Sequence, residues 1–180
     1  MKKLLVVFAL SVSALGQSAG EVQKMLTAEA EKLRAIGKDP VIVAAVRAQN
    51  ARKVPLAAIK AVDERWMAGN EAGLVEQILS GPCADRLREL AAANAAYSET
   101  FAMDDQGALV CATAKTSDYW QGDEAKWERA FNGGKGDVFI DRPKFDESAN
   151  ARIAQISIPV MDGQKAIGAI TVGIVIAKLK

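Results

Sequence analysis

The sequence predicts an α+β domain in which helices come first and antiparallel strands follow. Up to about Asn94, apolar residues recur every three or four positions, as they do on one face of a helix. From Phe101 onward the apolar period changes to two, which is typical of half-buried strands, and turn sequences separate these strands. The helices are therefore expected to pack on an antiparallel sheet of about five strands.

The helical half begins with two predicted helices. The first covers residues 21–36, where apolar residues follow the helical period, and it ends at Gly37. The second begins with Asp39 as its N-cap and Pro40 in its first turn, and it ends at about Asn50. Both boundaries use residue types that favour helix ends.

Two further helices complete the helical half. The third is predicted over residues 55–69, and one apolar stripe runs along it: Leu56, Ile59, Val62, Trp66 and Met67. The fourth begins at residues 80–82, Ser-Gly-Pro, carries Leu87 and Leu90, and ends near Asn94. We expect residues 21–96 to form one structural domain with the sheet of residues 97–180.

The second half contains the predicted strands. Residues 101–112 form a hairpin around the turn sequence Asp-Asp-Gln-Gly at residues 104–107. A short helix over residues 123–131 and three more strands follow, at residues 138–140, 152–159 and 166–177, the last two joined by a turn at 161–164. The last strand is too short to span a membrane as a helix.

Residues 1–20 have the pattern of a secretory signal. Lys2 and Lys3 precede an apolar run over residues 4–15, and small residues follow it. We expect cleavage near Gly16 or between Ala19 and Gly20, which places the protein in the periplasm; a retained N-terminal anchor is the alternative. The remaining chain has 21 basic and 22 acidic residues of interspersed sign, which does not indicate a nucleic-acid partner.

The residue inventory excludes much catalytic chemistry. The sequence has no histidine, so Ser-His-Asp machinery and imidazole metal ligands are absent, and we expect neither an enzyme nor a cofactor. Cys83 and Cys111 are the only cysteines, and an even pair in an exported protein indicates a disulfide. Two buried free thiols remain the alternative.

The second half resembles a known family. The segments "ETFAMDDQGALVCAT", "DYWQGDEAKWERAF" and "GDVFID", followed by "RIAQISIPVMDGQKAIGAITVGI", look like the Cache family of extracytoplasmic PAS-like sensor domains (PDC sensors). The resemblance covers residues 98–176, and its most specific part is the closing pair of strands. It implies capture of a small organic acid or amino acid. Because the chain ends at Lys180 without an output module, we expect signalling through a separate membrane receptor.

The resemblance also implies a pocket between the sheet and the segment of residues 117–141. Tyr119, Trp120 and Trp127 are the expected walls, since each combines an apolar body with one hydrogen-bonding tip. Packing of Trp127 and Phe131 in the core is the alternative. No metal is expected, although Asp141, Asp146 and Glu147 leave a calcium site open.

Three charged residues complete the expected ligand site. Lys126 or Arg129 would pair with the anionic end of the ligand, unless both belong to a solvated helix face. Asp141 follows a strand and would meet an ammonium, unless it only starts a turn. The alternative function is an interaction module, in which the stripe with Trp66 and Met67 docks on a receptor or on a second copy as a homodimer.

Overall fold

The computed structural model describes residues 18–147 and 150–179, so the predicted signal sequence lies almost entirely outside the described residues. These ranges contain six α-helices: α1 (Ala19–Leu33), α2 (Pro40–Ala51), α3 (Leu56–Met67), α4 (Ala72–Ile78), α5 (Gly81–Ala92) and α6 (Ala125–Phe131). They also contain six strands: β1 (Tyr97–Met103), β2 (Leu109–Ala112), β3 (Phe139–Ile140), β4 (Lys144–Asp146), β5 (Ala151–Asp162) and β6 (Lys165–Val175). Within these ranges no helix has the length and apolarity needed to cross a membrane.

The predicted helix boundaries are largely confirmed. The Asp39 carboxylate caps α2 by accepting a hydrogen bond from the backbone N–H of Val41 at 3.0 Å, and Pro40 is the first helical residue. Pro55 precedes α3 as its N-cap residue. Helix α4 was not predicted, because seven residues contain too few turns to display an apolar period.

The strands form one antiparallel sheet in the order β2-β1-β6-β5-β3, and β4 pairs with the first residues of β5. This confirms the predicted α+β fold class. The sheet has six strands rather than five, because β4 is a three-residue edge strand whose Phe145 is 63% exposed and gives no buried alternation.

Each face of the sheet is covered by different elements. Helices α1, α2 and α5 cover one face, where Leu26, Ile42 and Leu87 are buried with even-numbered residues of β5 and β6. Helices α3 and α4 and part of α6 contribute to a second core on the opposite face, with Trp66 and Phe101. The predicted stripe of α3 is therefore split. Trp66 is fully buried, whereas Leu56 and Met67 are exposed.

A disulfide joins α5 to β2. Cys83 and Cys111 are bonded, with their Cα atoms 5.9 Å apart, so the alternative of two free thiols is wrong. Both cysteines are buried in the first core. The bond therefore fixes a helix to the sheet rather than bridging two surface loops.

Glu29 is a buried carboxylate that ties α1 to the start of the sheet. It accepts hydrogen bonds from Tyr97 Oη at 2.6 Å, from Asn94 at 3.0 Å and from Lys32 at 2.7 Å. Burial alone would raise the pKa of Glu29, but these hydrogen bonds outweigh it and hold the pKa below its ordinary value. The carboxylate is therefore ionised near neutral pH.

Tyr97→Phe is expected to lower the free energy of unfolding by about 1.5 to 2 kcal/mol near neutral pH, because it removes a donor from a buried charge. A carboxyl whose pKa is lowered in the folded protein stabilises above its unfolded pKa, and this stability is lost as the pH falls through the folded value. Urea unfolding of both proteins between about pH 7 and pH 3 should therefore show the difference shrinking below about pH 4. A difference independent of pH would contradict the assignment to Glu29.

Candidate functional site

Charged residues surround a cavity of about 300 Å³ on the α6 side of the sheet, which we call the charged cleft. The start of α6, the end of β3, the edge strand β4 and the first part of β5 all contribute to it. Its lining residues are Glu124, Lys126, Asp141, Arg142, Lys144, Phe145, Asp146, Ile153 and Gln155. Two of the predicted site residues, Lys126 and Asp141, are thus brought together across 15 positions of sequence.

Lys126 is the most buried cation described in this cleft. Its side chain is 12% exposed, and its Nζ lies 3.0 Å from Glu124 Oε2 and 5.3 Å from the centre of the Phe101 ring. Helix α6 places it there because the helix packs against β5 and β6. An ammonium held on a ring face with one carboxylate partner retains donors for a further anion.

Asp141 directly follows β3 and is aligned by its neighbours. Its backbone N–H donates to Gln155 O at 2.8 Å, and its carboxylate accepts from Arg142 N and Lys144 Nζ, both at 2.8 Å. Burial would raise the pKa of Asp141, but the hydrogen bonds from Lys144 and Arg142 and the nearby ammonium charges together outweigh it, so the pKa is lowered. Asp141 is therefore an anion whose partner Lys144 is 74% exposed at its side chain.

The other predicted site residues lie outside the lining of this cleft. Arg129 is exposed, with its guanidinium carbon 5.1 Å from the centre of the Phe139 ring. Trp127 stacks on Phe131 at 5.1 Å, and its indole N–H donates to Asp104 O at 2.9 Å. Trp127 packs against the second core, whereas Phe131 lines a separate cavity between α2 and the start of β6.

Tyr119 and Trp120 are fastened to the helical layer. The Asp63 carboxylate of α3 accepts from the backbone N–H groups of both residues, at 2.7 and 3.0 Å. The Tyr119 ring lies 5.8 Å from the Trp66 ring, and the Trp120 indole donates to Gln106 O at 2.7 Å. Their polar tips are therefore used inside the protein. Asp63 was not singled out in the sequence, because only the fold brings it to this segment.

The calcium alternative gains no support from the described residues. Asp141 and Asp146 both line the charged cleft, while Glu147 does not. Within residues 18–147 and 150–179, no group of three or more carboxylate or cysteine side chains is placed to hold a metal ion.

A second cavity of about 330 Å³ adjoins the charged cleft, and we call it the Glu99 recess. It is lined by Ser98, Glu99, Ala114, Lys115, Asp146, Ile153, Gln155 and Gly173. Burial raises the pKa of Glu99; the Lys126 ammonium opposes this shift and Asp146 adds to it. Glu99 was missed in the sequence, although an acid two positions before the buried Phe101 in a strand is a usable signal.

The sequence matches no family model and no curated protein. Among solved structures, the chain is similar to the sensor domain of the V. cholerae histidine kinase DctB, at 14% identity and a TM-score of 0.42, covering 89% of this chain and 54% of that one. It is also similar to the ligand-binding domain of the Pseudomonas aeruginosa amino acid chemoreceptor PctC in complex with GABA. The identity is 15% and the TM-score 0.41, and the match covers 70% of this chain and 60% of that one.

A third similar structure is the ligand-binding domain of the Campylobacter jejuni chemoreceptor Tlp3 in complex with 4-methylisoleucine. The identity is 14% and the TM-score 0.38, covering 85% of this chain and 59% of that one. The chain thus spans less than two thirds of each of these three domains. All three are described as sensor or ligand-binding domains, of a histidine kinase or of chemoreceptors.

Proposed function

We propose that this protein is an exported, non-catalytic sensor domain that captures a small organic acid or amino acid in the charged cleft. The single observation that carries the proposal is the convergence of Lys126 and Asp141 on one cavity. Lys126 receives the carboxylate of the ligand, and Asp141 receives an ammonium by exchanging it for the exposed Lys144. The disulfide supports an oxidising compartment such as the periplasm.

The apolar and polar parts of the cleft suit such a ligand. Ile153 and the exposed Phe145 provide apolar contact, while opposite charges at Lys126 and Asp141 fix the orientation of a zwitterion. The ligand is read out by a separate membrane receptor. Binding links α6, β3 and β4, which meet at the cleft, and so shifts the population toward the arrangement in which they are close.

Lys126→Met is expected to weaken binding of an amino acid or carboxylate by about tenfold or more, because it removes a largely buried ammonium but keeps the chain volume. A thermal-shift screen of the common amino acids and short mono- and dicarboxylates identifies the binder, since 100 times Kd stabilises by about 2.7 kcal/mol. Lys135→Met, on an exposed turn, is the matched control and should respond like the wild type. If no compound stabilises the wild type, or Lys126→Met responds equally, ligand capture in this cleft is excluded.

A second candidate, an interaction module, is favoured by one observation. Leu56 and Met67 of α3 are 42% and 55% exposed and leave apolar surface on the helical half. This surface would dock on a receptor or on a second copy of the chain. Sedimentation of the wild type and of a Leu56→Glu, Met67→Glu variant separates the two functions. A wild type that is a dimer, with a variant that is a monomer, supports the interaction module, whereas a monomeric wild type that binds its ligand supports ligand capture alone.

A further inference from the structure

The charged cleft and the Glu99 recess lie side by side. They share Asp146, Ile153 and Gln155 as lining residues. Four residues follow one another across the floor. Asp141, just after β3, hydrogen-bonds to Gln155 of β5, and Gln155 pairs with Gly173 of β6. Glu99 of β1 lies beside Gly173. Neighbouring strands are about 4.8 Å apart, so these four positions span about 14 Å of sheet. An extended chain of several carbons fits along this floor. The protein places a carboxylate at each end of it, Asp141 at one and Glu99 at the other.

The recess contains the partly buried carboxylate of Glu99. Among the described residues, no donor hydrogen-bonds to the Glu99 carboxylate. The Lys115 ammonium points elsewhere: it donates to Trp66 O at 3.5 Å and lies 5.6 Å from the Trp66 ring centre. Lys126 is paired with Glu124. The Lys126 ammonium also acts on Glu99, but it offsets the cost of burying this carboxylate only in part, since the pKa of Glu99 is still raised. A cation entering the recess would stabilise the Glu99 carboxylate further.

Two further residues of the recess, Ser98 and Gly173, favour a ligand group that donates hydrogen bonds. The Ser98 hydroxyl oxygen is buried and makes no hydrogen bond within the described part of the chain. Gly173 leaves room for this hydroxyl group, since a Cβ at position 173 would collide with Ser98 Oγ. An ammonium has three N–H donors, and the Glu99 carboxylate and the Ser98 hydroxyl oxygen can each accept one of them. A ligand carboxylate in the recess would instead be repelled by Glu99 and Asp146.

We infer that the Glu99 recess binds the side-chain cation of a basic amino acid, whose α-carboxylate and α-ammonium lie in the charged cleft. The inference rests on the proposed function and names its ligand class. Lys126 then meets the carboxylate, Asp141 the α-ammonium, and Glu99 with Ser98 the distal cation. Glu99 is thereby the residue that distinguishes cationic from neutral and anionic side chains.

The test compares three amino acids that have the same six-carbon skeleton and differ only at the last carbon of the side chain. L-lysine carries a terminal ammonium, L-norleucine a methyl group and L-2-aminoadipate a carboxylate. Titration calorimetry of the wild type is expected to show L-lysine binding about ten- to hundredfold more tightly than L-norleucine, because a hydrogen bond to a charged group is gained. L-2-aminoadipate is expected to bind most weakly.

Glu99→Gln provides the residue-level test. The lysine-to-norleucine affinity ratio should fall to near one, chiefly because L-lysine binds more weakly. The variant is expected to melt at the wild-type temperature or above it, because the cost of burying a carboxylate has been removed. Glu128→Gln, the same change on the exposed surface of α6, is the control and should keep the full ratio.

The outcomes separate the inference from the proposed function. If L-norleucine and L-2-aminoadipate bind as tightly as L-lysine, or Glu99→Gln keeps the ratio, the recess is not a cation site although amino acid capture stands. If none of the three binds to the wild type at millimolar concentration, both the recess assignment and amino acid capture in the cleft are overturned.

Discussion

Trp66→Ala is expected to lower the free energy of unfolding by about 3 to 5 kcal/mol, the range found for large aromatic residues removed from a core. The Trp66 side chain is fully buried, and its indole N–H donates to Thr116 O at 3.0 Å. Its ring packs on Tyr119, and the Lys115 ammonium lies over the Trp66 ring at 5.6 Å from the ring centre. The substitution therefore leaves a cavity and an unsatisfied carbonyl at once.

Met67→Ala is the matched control, because it changes the next residue of the same helix. Met67 is 55% exposed, so its loss is expected to alter stability by less than about 0.5 kcal/mol. Urea unfolding followed by circular dichroism measures both variants. Equal effects at the two positions would mean that α3 presents Trp66 to solvent, as a docking stripe requires, and would contradict the burial described above.

The sequence predicts those parts of the fold that depend on neighbouring residues. Asp39 and Pro40 define a helix start, and the turn at residues 104–107 defines a hairpin, because caps and tight turns need particular residue types. Helix α4 and strand β4 escape prediction because their stability comes from packing and pairing with distant elements. A three-residue edge strand has no period of its own to detect.

The residues of the site likewise divide into those that the sequence predicts and those whose contacts only the fold determines. Lys126 and Asp141 are singled out from the sequence and share a cavity, since α6 and β3 hold them on the same side of the sheet. The aromatic residues expected beside them have other contacts: the indole groups of Trp120 and Trp127 donate to carbonyl groups of the β1–β2 turn region. A polar tip that can meet a ligand can equally meet the backbone, and only the fold decides between the two.

The close packing of this aromatic segment has a second consequence for the site. Gly122 lies so near Gln106 O and the Trp120 indole that a Cβ would collide with both. The segment before α6 is thus attached to the hairpin turn and, through Asp63, to α3. Such attachment holds α6, and with it Lys126, at a constant position over the sheet. The aromatic residues therefore position the cleft without lining it.

Removal of the disulfide is expected to lower the free energy of unfolding by about 3 to 4 kcal/mol. The bond joins residues separated by 28 positions, and opening a loop of this length restores conformational entropy to the unfolded chain. A Cys83→Ala, Cys111→Ala variant avoids placing hydroxyl groups in a core where Cys111 is 1% exposed. Urea unfolding of this variant and of the wild type with and without reductant measures the effect.

The reduced wild type and the double alanine variant should lose nearly the same stability, because both lose the same constraint on the unfolded chain. Reductant should leave the double variant unchanged, which controls for effects unrelated to the bond. Since neither cysteine lines the charged cleft or the Glu99 recess, ligand affinity of the reduced but folded protein should equal that of the oxidised protein. A loss of stability below about 1 kcal/mol on reduction would mean that the packing of α5 alone constrains this loop.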